Sequence, residues 1–230
     1  MLSFVNDRNC LICNRKHDLF KVLSDDELMV INRARYEITY KANETIVKQG
    51  TSISHLIIIH KGLAKLYVEG KNKDMIMQYL KPSDFYLDPG AFVDKRNHFS
   101  ITALEETSAC LIELDTFIEI IKSNNQFALA YFKELSGREL FYCERFMNLT
   151  QKQMHGRIAD ALLYLNSRIY NHGSKTVKIT KSDLASATNM NKDSAGRILK
   201  EFQESGIIRV NGSEIELLDI NTLQQICEYG

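Results

Sequence analysis

Apolar positions along the chain change period twice, and each change marks a boundary. Residues 25–33 carry helical spacing. Ser24 stands as an N-cap with Glu27 three residues on, the pattern of a capping box. From Tyr36 the pattern breaks into short apolar runs at 36–40, 45–47, 55–60, 63–68, 75–80, 99–103 and 109–114. Gly50, Gly62, Gly70, Lys71-Asn72 and Pro82-Ser83-Asp84 separate them. Many short strands at close spacing predict an antiparallel barrel or jelly roll.

Helical spacing returns at Asp115. Phe117, Ile118, Ile120 and Ile121 pack a short helix, and a long one is expected over 125–148. In the long helix Phe127, Ala130, Tyr131, Leu135, Phe141, Cys143, Phe146 and Leu149 recur at three- and four-residue steps, with Glu134, Arg138 and Arg145 interleaved. That apolar set is too wide for one contact face, so one side should pack on the barrel and the other on a second copy of the helix. Residues 154–170 form a further amphipathic helix through Ile158, Ala161, Leu162, Leu165 and Ile169, closed by Asn171-His172-Gly173-Ser174. The expected organisation is a strand-rich domain over 1–124, a long dimerisation helix over 125–150 and a C-terminal domain over 151–230.

The C-terminal pattern is the most informative. A short strand, Val177-Lys178-Ile179, leads to Thr180 as an N-cap with Asp183 three residues on. A short helix over 181–187 follows, then a tight turn at Thr188-Asn189-Met190, then Asn191 as the cap of a second helix. In that helix Ala195, Ile198, Leu199 and Phe202 share an inner face. Lys192, Asp193, Gly196, Arg197 and Lys200 share the outer one. Gly206 ends the helix, and Asn211-Gly212 between two apolar runs predicts a hairpin. Two helices, a sharp turn and a hairpin in this order predict a winged helix-turn-helix, whose second helix presents its N-terminal face to base edges. The chemistry fits that use. Arg197 offers a bidentate donor to guanine, Asp193 accepts from base amino groups, Lys192 reaches guanine or phosphate, and Gly196 removes bulk at the contact face. Thr180 and Ser182, at the start of the first helix, are expected to bond a phosphate, and Lys200 to reach guanine or phosphate.

Composition changes this picture little. Formal net charge is zero over 230 residues. Between Gln151 and Gly212, however, ten bases face five acids, an excess confined to the module expected to meet phosphates. The N-terminal residues lack a basic stretch followed by an apolar run, and the most apolar run, Leu56-Ile57-Ile58-Ile59, is too short to cross a bilayer. The chain reads as cytoplasmic. Five cysteines in such a setting argue against a disulfide framework. His55 and His60 bracket a strand at odd spacing and do not form a cupin-like metal set. No Ser/His/Asp set, phosphate loop or paired carboxylates stand out, so an enzyme is not expected.

The chain resembles the CRP/FNR family of bacterial regulators over nearly its whole length. The stretch from Ile179 to Leu184, followed by Asn191-Lys192-Asp193-Ser194-Ala195-Gly196-Arg197-Ile198-Leu199-Lys200, is similar to the family's helix-turn-helix signature. Lys61-Gly62, Ala103-Leu104-Glu105 and the stretch from Arg157 to Leu163 are similar to further landmarks. The resemblance implies an α+β fold with an N-terminal antiparallel jelly-roll sensor like a cyclic nucleotide-binding domain, a long dimerisation helix and a C-terminal winged helix-turn-helix. It implies a homodimer on a two-fold symmetric operator, with RNA polymerase as a further partner if the protein activates. It carries over Arg197 and Asp193 as base readers, with Lys192, Thr180, Ser182, Asn191 and Ser194 as supporting contacts. Asp193 stands where Glu is usual, a shorter arm that leaves the half-site open.

The sensor's signal divides into alternatives. Nucleotide-binding members use a Gly-Glu-rich segment and an Arg. The equivalent stretch here reads Asp84-Phe85-Tyr86-Leu87-Asp88-Pro89-Gly90-Ala91, with Phe99 at the Arg position, so cAMP is not expected. An alternative is a redox or iron–sulfur sensor, because Cys10-Leu11-Ile12-Cys13 is a C-x-x-C and Cys110 follows Ala103-Leu104-Glu105 at the spacing of the oxygen-sensing branch. His17 or Asp18 would then be the fourth ligand. A third alternative is a ligand-binding adaptor that does not bind DNA.

Overall fold

In the computed structural model, residues 4–5, 9–170 and 174–230 are described. The opening residues at 1–3 and 6–8, and the helix-ending segment Asn171-His172-Gly173, lie outside them. The chain divides into two compact units, 1–69 with 78–140 and 70–77 with 141–230.

The first unit is built on two antiparallel sheets. One holds, in order, β1 (Phe4–Val5), β2 (Arg35–Tyr40), β9 (Thr107–Glu113), β4 (His55–Lys61) and β7 (Phe85–Tyr86). The other runs β3 (Thr45–Val47), β8 (Ser100–Ala103), β5 (Ala64–Val68) and β6 (Met75–Leu80). This is the jelly-roll arrangement expected from the strand pattern. Strand β4 explains its own continuous apolar run, because all four residues from Leu56 to Ile59 are buried. Leu56 and Ile58 belong to a cluster with Phe20, Ile31, Ile112, Phe117 and Phe127, and by the two-residue period Ile57 and Ile59 face the other way.

That cluster roofs one sheet with helices. It takes residues from α1 (Asp25–Arg33), α2 (Leu114–Ser123) and the start of α3 (Asn125–Gln151). The capping box at Ser24 and Glu27 forms in both directions. A short 3-10 turn over Asp18–Val22 adds Leu19 and Phe20 to the roof. Phe117 meets Phe127 and Tyr131 edge-on, with ring centroids 5.5 and 5.2 Å apart.

The second unit holds α4 (Met154–Tyr164), β10 (Thr176–Lys178), α5 (Lys181–Ala187), α6 (Lys192–Glu204), β11 (Ile208–Asn211), β12 (Glu214–Leu217) and α7 (Ile220–Tyr229). Its core includes Ile158, Leu162, Leu184, Ile198, Leu199, Phe202, Ile215 and Leu223. Helix α7 was not expected from the sequence. It docks on α4 closely enough that a Cβ on Gly156 would stand 2.5 Å from the Gly230 carbonyl oxygen. The helix expected to reach Tyr170 is α-helical only to Tyr164, then widens into a π-helical turn over Leu165–Ile169.

Candidate nucleic-acid interface

Local capping chemistry sets the two helices of the reading module. Thr180 Oγ1 accepts from the Asp183 amide at 3.0 Å and starts α5. Its own proton goes to Asp183 Oδ2 at 2.8 Å, so the Thr180 hydroxyl is committed to the cap. Asn191 Oδ1 accepts from the Ser194 amide at 2.7 Å and starts α6. Between them Asn189 takes a left-handed φ of 53°, a conformation asparagine tolerates. Thr188 is buried and returns its hydroxyl to Leu184 O at 2.7 Å.

Cations hold the turn in place. Arg145 Nη2 donates to Ala187 O at 2.8 Å, Lys73 Nζ to Asn189 O at 3.1 Å, and Arg157 Nη1 to Thr188 O at 3.5 Å. These carbonyls close the C-terminal end of α5, where unpaired oxygens and the helix dipole favour positive charge. Nothing in the local helix-turn-helix pattern pointed to Arg145 or Lys73, because both come from distant parts of the sequence.

Helix α6 buries Ala195, Ile198, Leu199 and Phe202 and leaves Asn191, Lys192, Asp193, Arg197 and Lys200 exposed. Ser194 and Gly196 are half-buried beside them, and Ser182 is exposed at the start of α5. Arg197 Nε lies 3.8 Å from Glu201 Oε1 and Lys200 Nζ lies 3.6 Å from Glu204 Oε1. Exposed pairs at such distances hold their partners weakly. Glu201 also meets His155 Nε2 at 2.7 Å. Gly196 has no packing reason to be glycine, since an added Cβ would meet only Lys181 Cδ, at 4.0 Å.

Strands β11 and β12 form the hairpin after α6, with β10 on the far side of β12. Asn211 pairs with Glu214 across the strands, so the two turn residues are Gly212 and Ser213 rather than Asn211 and Gly212. Gly212 takes φ of 63°, as the leading residue of a glycine-first turn. Arg209 Nη1 donates to Glu216 Oε2 on the facing strand at 2.6 Å.

The family follows from the two halves of the chain. Residues 37–124 match the cyclic nucleotide-binding domain family, and residues 156–226 match the Crp-like helix-turn-helix domain family, together more than two thirds of the chain. The chain belongs to the CRP/FNR family of transcription regulators. The cAMP-activated global transcriptional regulator CRP of Salmonella typhimurium is 25% identical over 181 residues, covering 76% of this chain and 86% of that protein. Vfr of Pseudomonas aeruginosa, also a cAMP-activated global transcriptional regulator, is 23% identical, covering 75% and 85%. Among solved structures, FixK2 from Bradyrhizobium japonicum superposes with a TM-score of 0.74 at 17% identity, covering 83% of this chain and 96% of that one. A CRP/FNR-family transcriptional regulator from Thermus thermophilus does so with a TM-score of 0.69 at 20% identity, covering 84% and 98%. The chain is thus a CRP/FNR-type regulator with a DNA-binding helix-turn-helix and a cyclic nucleotide-binding-type domain. Among the described residues no helix is long and apolar enough to cross a membrane.

The sensor half departs from what cAMP needs. Asp88 is buried at the start of a 3-10 turn over Pro89–Phe92. Its Oδ1 accepts from the Gly90 amide at 2.9 Å. Its Oδ2 accepts from the His98 and Phe99 amides at 2.8 and 3.2 Å and from Tyr86 Oη at 3.1 Å. A phosphate in this loop would need free amides and a cation, and here an internal carboxylate already takes the amides. Arg138 stacks over the Tyr86 ring at 5.1 Å and donates to Leu87 O at 3.3 Å. The residues do not fit a cyclic phosphate.

The cysteine expectation meets a mixed result. Cys10, Cys13 and Cys110 do line one cavity of about 40 Å³, with Arg35, Glu37, His60 and Ile112. Yet among the described residues no three His, Cys, Asp or Glu side chains stand close enough together to hold a metal ion. Arg35 Nη1 lies 4.0 Å from Cys110 Sγ. Burial pushes the Cys110 thiol up to about 12 and raises Cys10 too, outweighing the Arg35 charge that opposes the shift. Of the two candidates for a fourth ligand, His17 accepts from the Leu19 amide through Nδ1 at 3.1 Å, and Asp18 pairs with Lys21 at 2.6 Å. The arrangement does not fit an iron–sulfur centre.

The long helix α3 carries two apolar faces. Phe127 and Tyr131 are buried in the first unit's core, while Leu129, Phe132, Leu140, Cys143, Phe146 and Met147 are exposed. Leu129, Phe132 and Leu140 did not figure in the apolar set read from the sequence.

Proposed function

We propose that the chain works as a homodimer that reads a two-fold symmetric DNA operator through α6. The observation that carries the reading is the outer face of α6. Lys192, Asp193 and Arg197 are exposed around Gly196, where no side chain stands and no packing demands its absence. Arg197 pairs with guanine, Asp193 accepts from a base amino group, and Lys192 reaches guanine or phosphate. Ser182, Ser194 and Lys200 meet phosphates, and Thr180 and Asn191 hold the two helix starts toward the backbone. The dimer seam is the exposed stripe of α3, whose three- and four-residue spacing is that of a two-helix contact with a second copy. The protein acts by binding, without catalysis, in the cytoplasm, and meets RNA polymerase where it activates. Its effector is not cAMP, because Asp88 takes the amides a phosphate would use.

Operator selection from random duplex DNA tests this reading. The expected result is a two-fold motif with half-sites about one helical turn apart. Recovery of a single asymmetric site would remove the dimer, and recovery of no motif would remove the reading altogether.

A further inference from the structure

Arg197 and Glu201 stand four residues apart on α6, and helical side chains lean toward the N-terminus of their helix. Glu201 thus leans toward Arg197, and Arg197 toward the end of α6 proposed to meet the bases. The atoms in contact matter. Glu201 Oε1 lies 3.8 Å from Arg197 Nε. The guanidinium is a rigid planar fork. A carboxylate at Nε leaves both terminal nitrogens for the two acceptors of a guanine edge.

The other oxygen of the same carboxylate is taken by a different helix. Glu201 Oε2 lies 2.7 Å from Nε2 of His155, the second residue of α4. A carboxylate only accepts, so the shared proton sits on Nε2. Packing places the imidazole in turn, with its ring centroid 6.0 Å from that of buried Phe202. Contacts therefore run from the core through His155 and Glu201 to Arg197. Lys200, one turn further along α6, has a shorter chain behind it. Its partner Glu204, at 3.6 Å, has no second partner among the described residues.

Arg197 is 62% exposed, and an exposed pair by itself holds its partner weakly. Two features raise the value of this one. Ordering a long side chain on binding costs conformational entropy, and less is lost when its acceptor is already anchored. A docked duplex also displaces water from around the pair, which strengthens the attraction in the bound state.

We propose that Glu201, anchored by His155, is a positioning residue for Arg197. It aims the guanidinium fork at the guanine edge and so sets sequence specificity rather than general affinity for DNA. This rests on the DNA-binding reading above; the chain of contacts does not.

Fluorescence anisotropy of the full chain, at one fixed salt concentration, gives the ratio of affinities for a selected operator and a scrambled duplex. The ratio cancels the uniform gain expected from deleting any acid near phosphates. Glu201→Ala and His155→Ala should each lower it about three- to tenfold, and the double variant should match Glu201→Ala because the two act in series. In an Arg197→Ala background neither should lower it further. His155→Gln, which keeps a donor near the position of Nε2, should restore most of the ratio. Glu204→Ala, the same charge change one turn on, should leave it unchanged. In DNA-free protein carrying ¹⁵N-arginine, the Arg197 Nε–H resonance should move on Glu201→Ala and, in the same direction, on His155→Ala, with the circular dichroism unchanged.

An unchanged ratio in both alanine variants overturns the proposal. So does a loss that persists in the Arg197→Ala background, or an equal loss in Glu204→Ala. Equal losses in His155→Ala and His155→Gln remove His155 from the chain. Selection that recovers no operator overturns the DNA-binding reading instead, and the arginine resonance then still tests the contacts.

Discussion

Gly196→Ala separates stability from reading in a single substitution. Gly196 is the fifth residue of α6, and glycine inside a helix costs about 0.5–1 kcal/mol relative to alanine through the entropy it loses on folding. A replacement normally forfeits that gain by a clash, but here the new Cβ meets only Lys181 Cδ at 4.0 Å, an ordinary contact. The variant should therefore be more stable by about 0.5–1 kcal/mol, read as a raised denaturant midpoint with an unchanged slope. If the outer face of α6 lies against base edges, the same methyl group enters that contact and weakens specific DNA by about 1–3 kcal/mol. Fluorescence anisotropy on the selected operator, at one fixed salt concentration, measures the second quantity. A stabilised variant with unchanged operator affinity and motif would refute the close approach. A destabilised variant would refute the packing argument instead.

Arg197→Ala should cost about 1–3 kcal/mol on the specific site and relax one base position on repeated selection, while its weak pair with Glu201 leaves folding nearly unchanged. Lys200→Ala should weaken all sequences alike and flatten the dependence of binding on salt. Asp88→Asn places an amide donor among the four donors that Asp88 now accepts from, so unfolding should become easier by about 1–3 kcal/mol, and calorimetry of the parent protein with cAMP should give no saturable heat. The thiol of Cys110 is held at about 12 in the folded chain against an ordinary value of 9.0. The unfolded chain therefore ionises first, and this group's contribution to stability, full below pH 9, falls as pH rises toward 12. At pH 8, iodoacetamide followed by peptide mass spectrometry should label exposed Cys143 first and Cys110 last. Phe132→Asp with Leu140→Asp should yield a folded monomer by sedimentation, since both side chains are exposed in the protomer, at 65% and 72%.

What was legible in the sequence follows how local each signal is. The capping residues Ser24, Thr180 and Asn191 act on amides three residues away, so their helices begin where the pattern places them. The strand runs were equally clear because β4 and its neighbours alternate between two buried faces. Helix α7 escaped notice because Leu223 is its one fully buried side chain, too little for a periodic stripe. The hairpin turn moved by one residue because strand pairing, not the Asn-Gly dipeptide, chose which two residues sit at the tip. The resemblance to CRP/FNR regulators made the α6 face readable, but not what holds it. The carbonyls of Ala187 and Asn189 are met by Arg145 and Lys73, 42 and 116 residues away in the chain. The cysteines show the opposite limit. Spacing brought Cys10, Cys13 and Cys110 to one cavity, yet only packing could reveal that, among the described residues, no three metal-binding side chains meet there.

Energetics tie the α3 stripe to the α6 face. A well-made contact between a side chain and a base contributes about 1–3 kcal/mol, so Arg197 and Asp193, in the base-reading roles proposed for them, would together supply about 2–6 kcal/mol per copy. Regulators separate their sites from bulk DNA by about 4–10 kcal/mol. One copy of this helix, at about 2–6 kcal/mol, overlaps only the lower part of that range, whereas two copies, at about 4–12 kcal/mol, span it. The shorter arm of Asp193 lowers the single-copy figure further. The basic excess between Gln151 and Gly212 does not close the gap, because phosphate contacts strengthen binding to every sequence alike. It is also smaller than the count suggests, since Arg209 is paired with Glu216, an acid just beyond that stretch. In the proposed dimer the larger discrimination comes from joining two reading helices rigidly, and the exposed Leu129, Phe132 and Leu140 of α3 are the apolar surface proposed to do it.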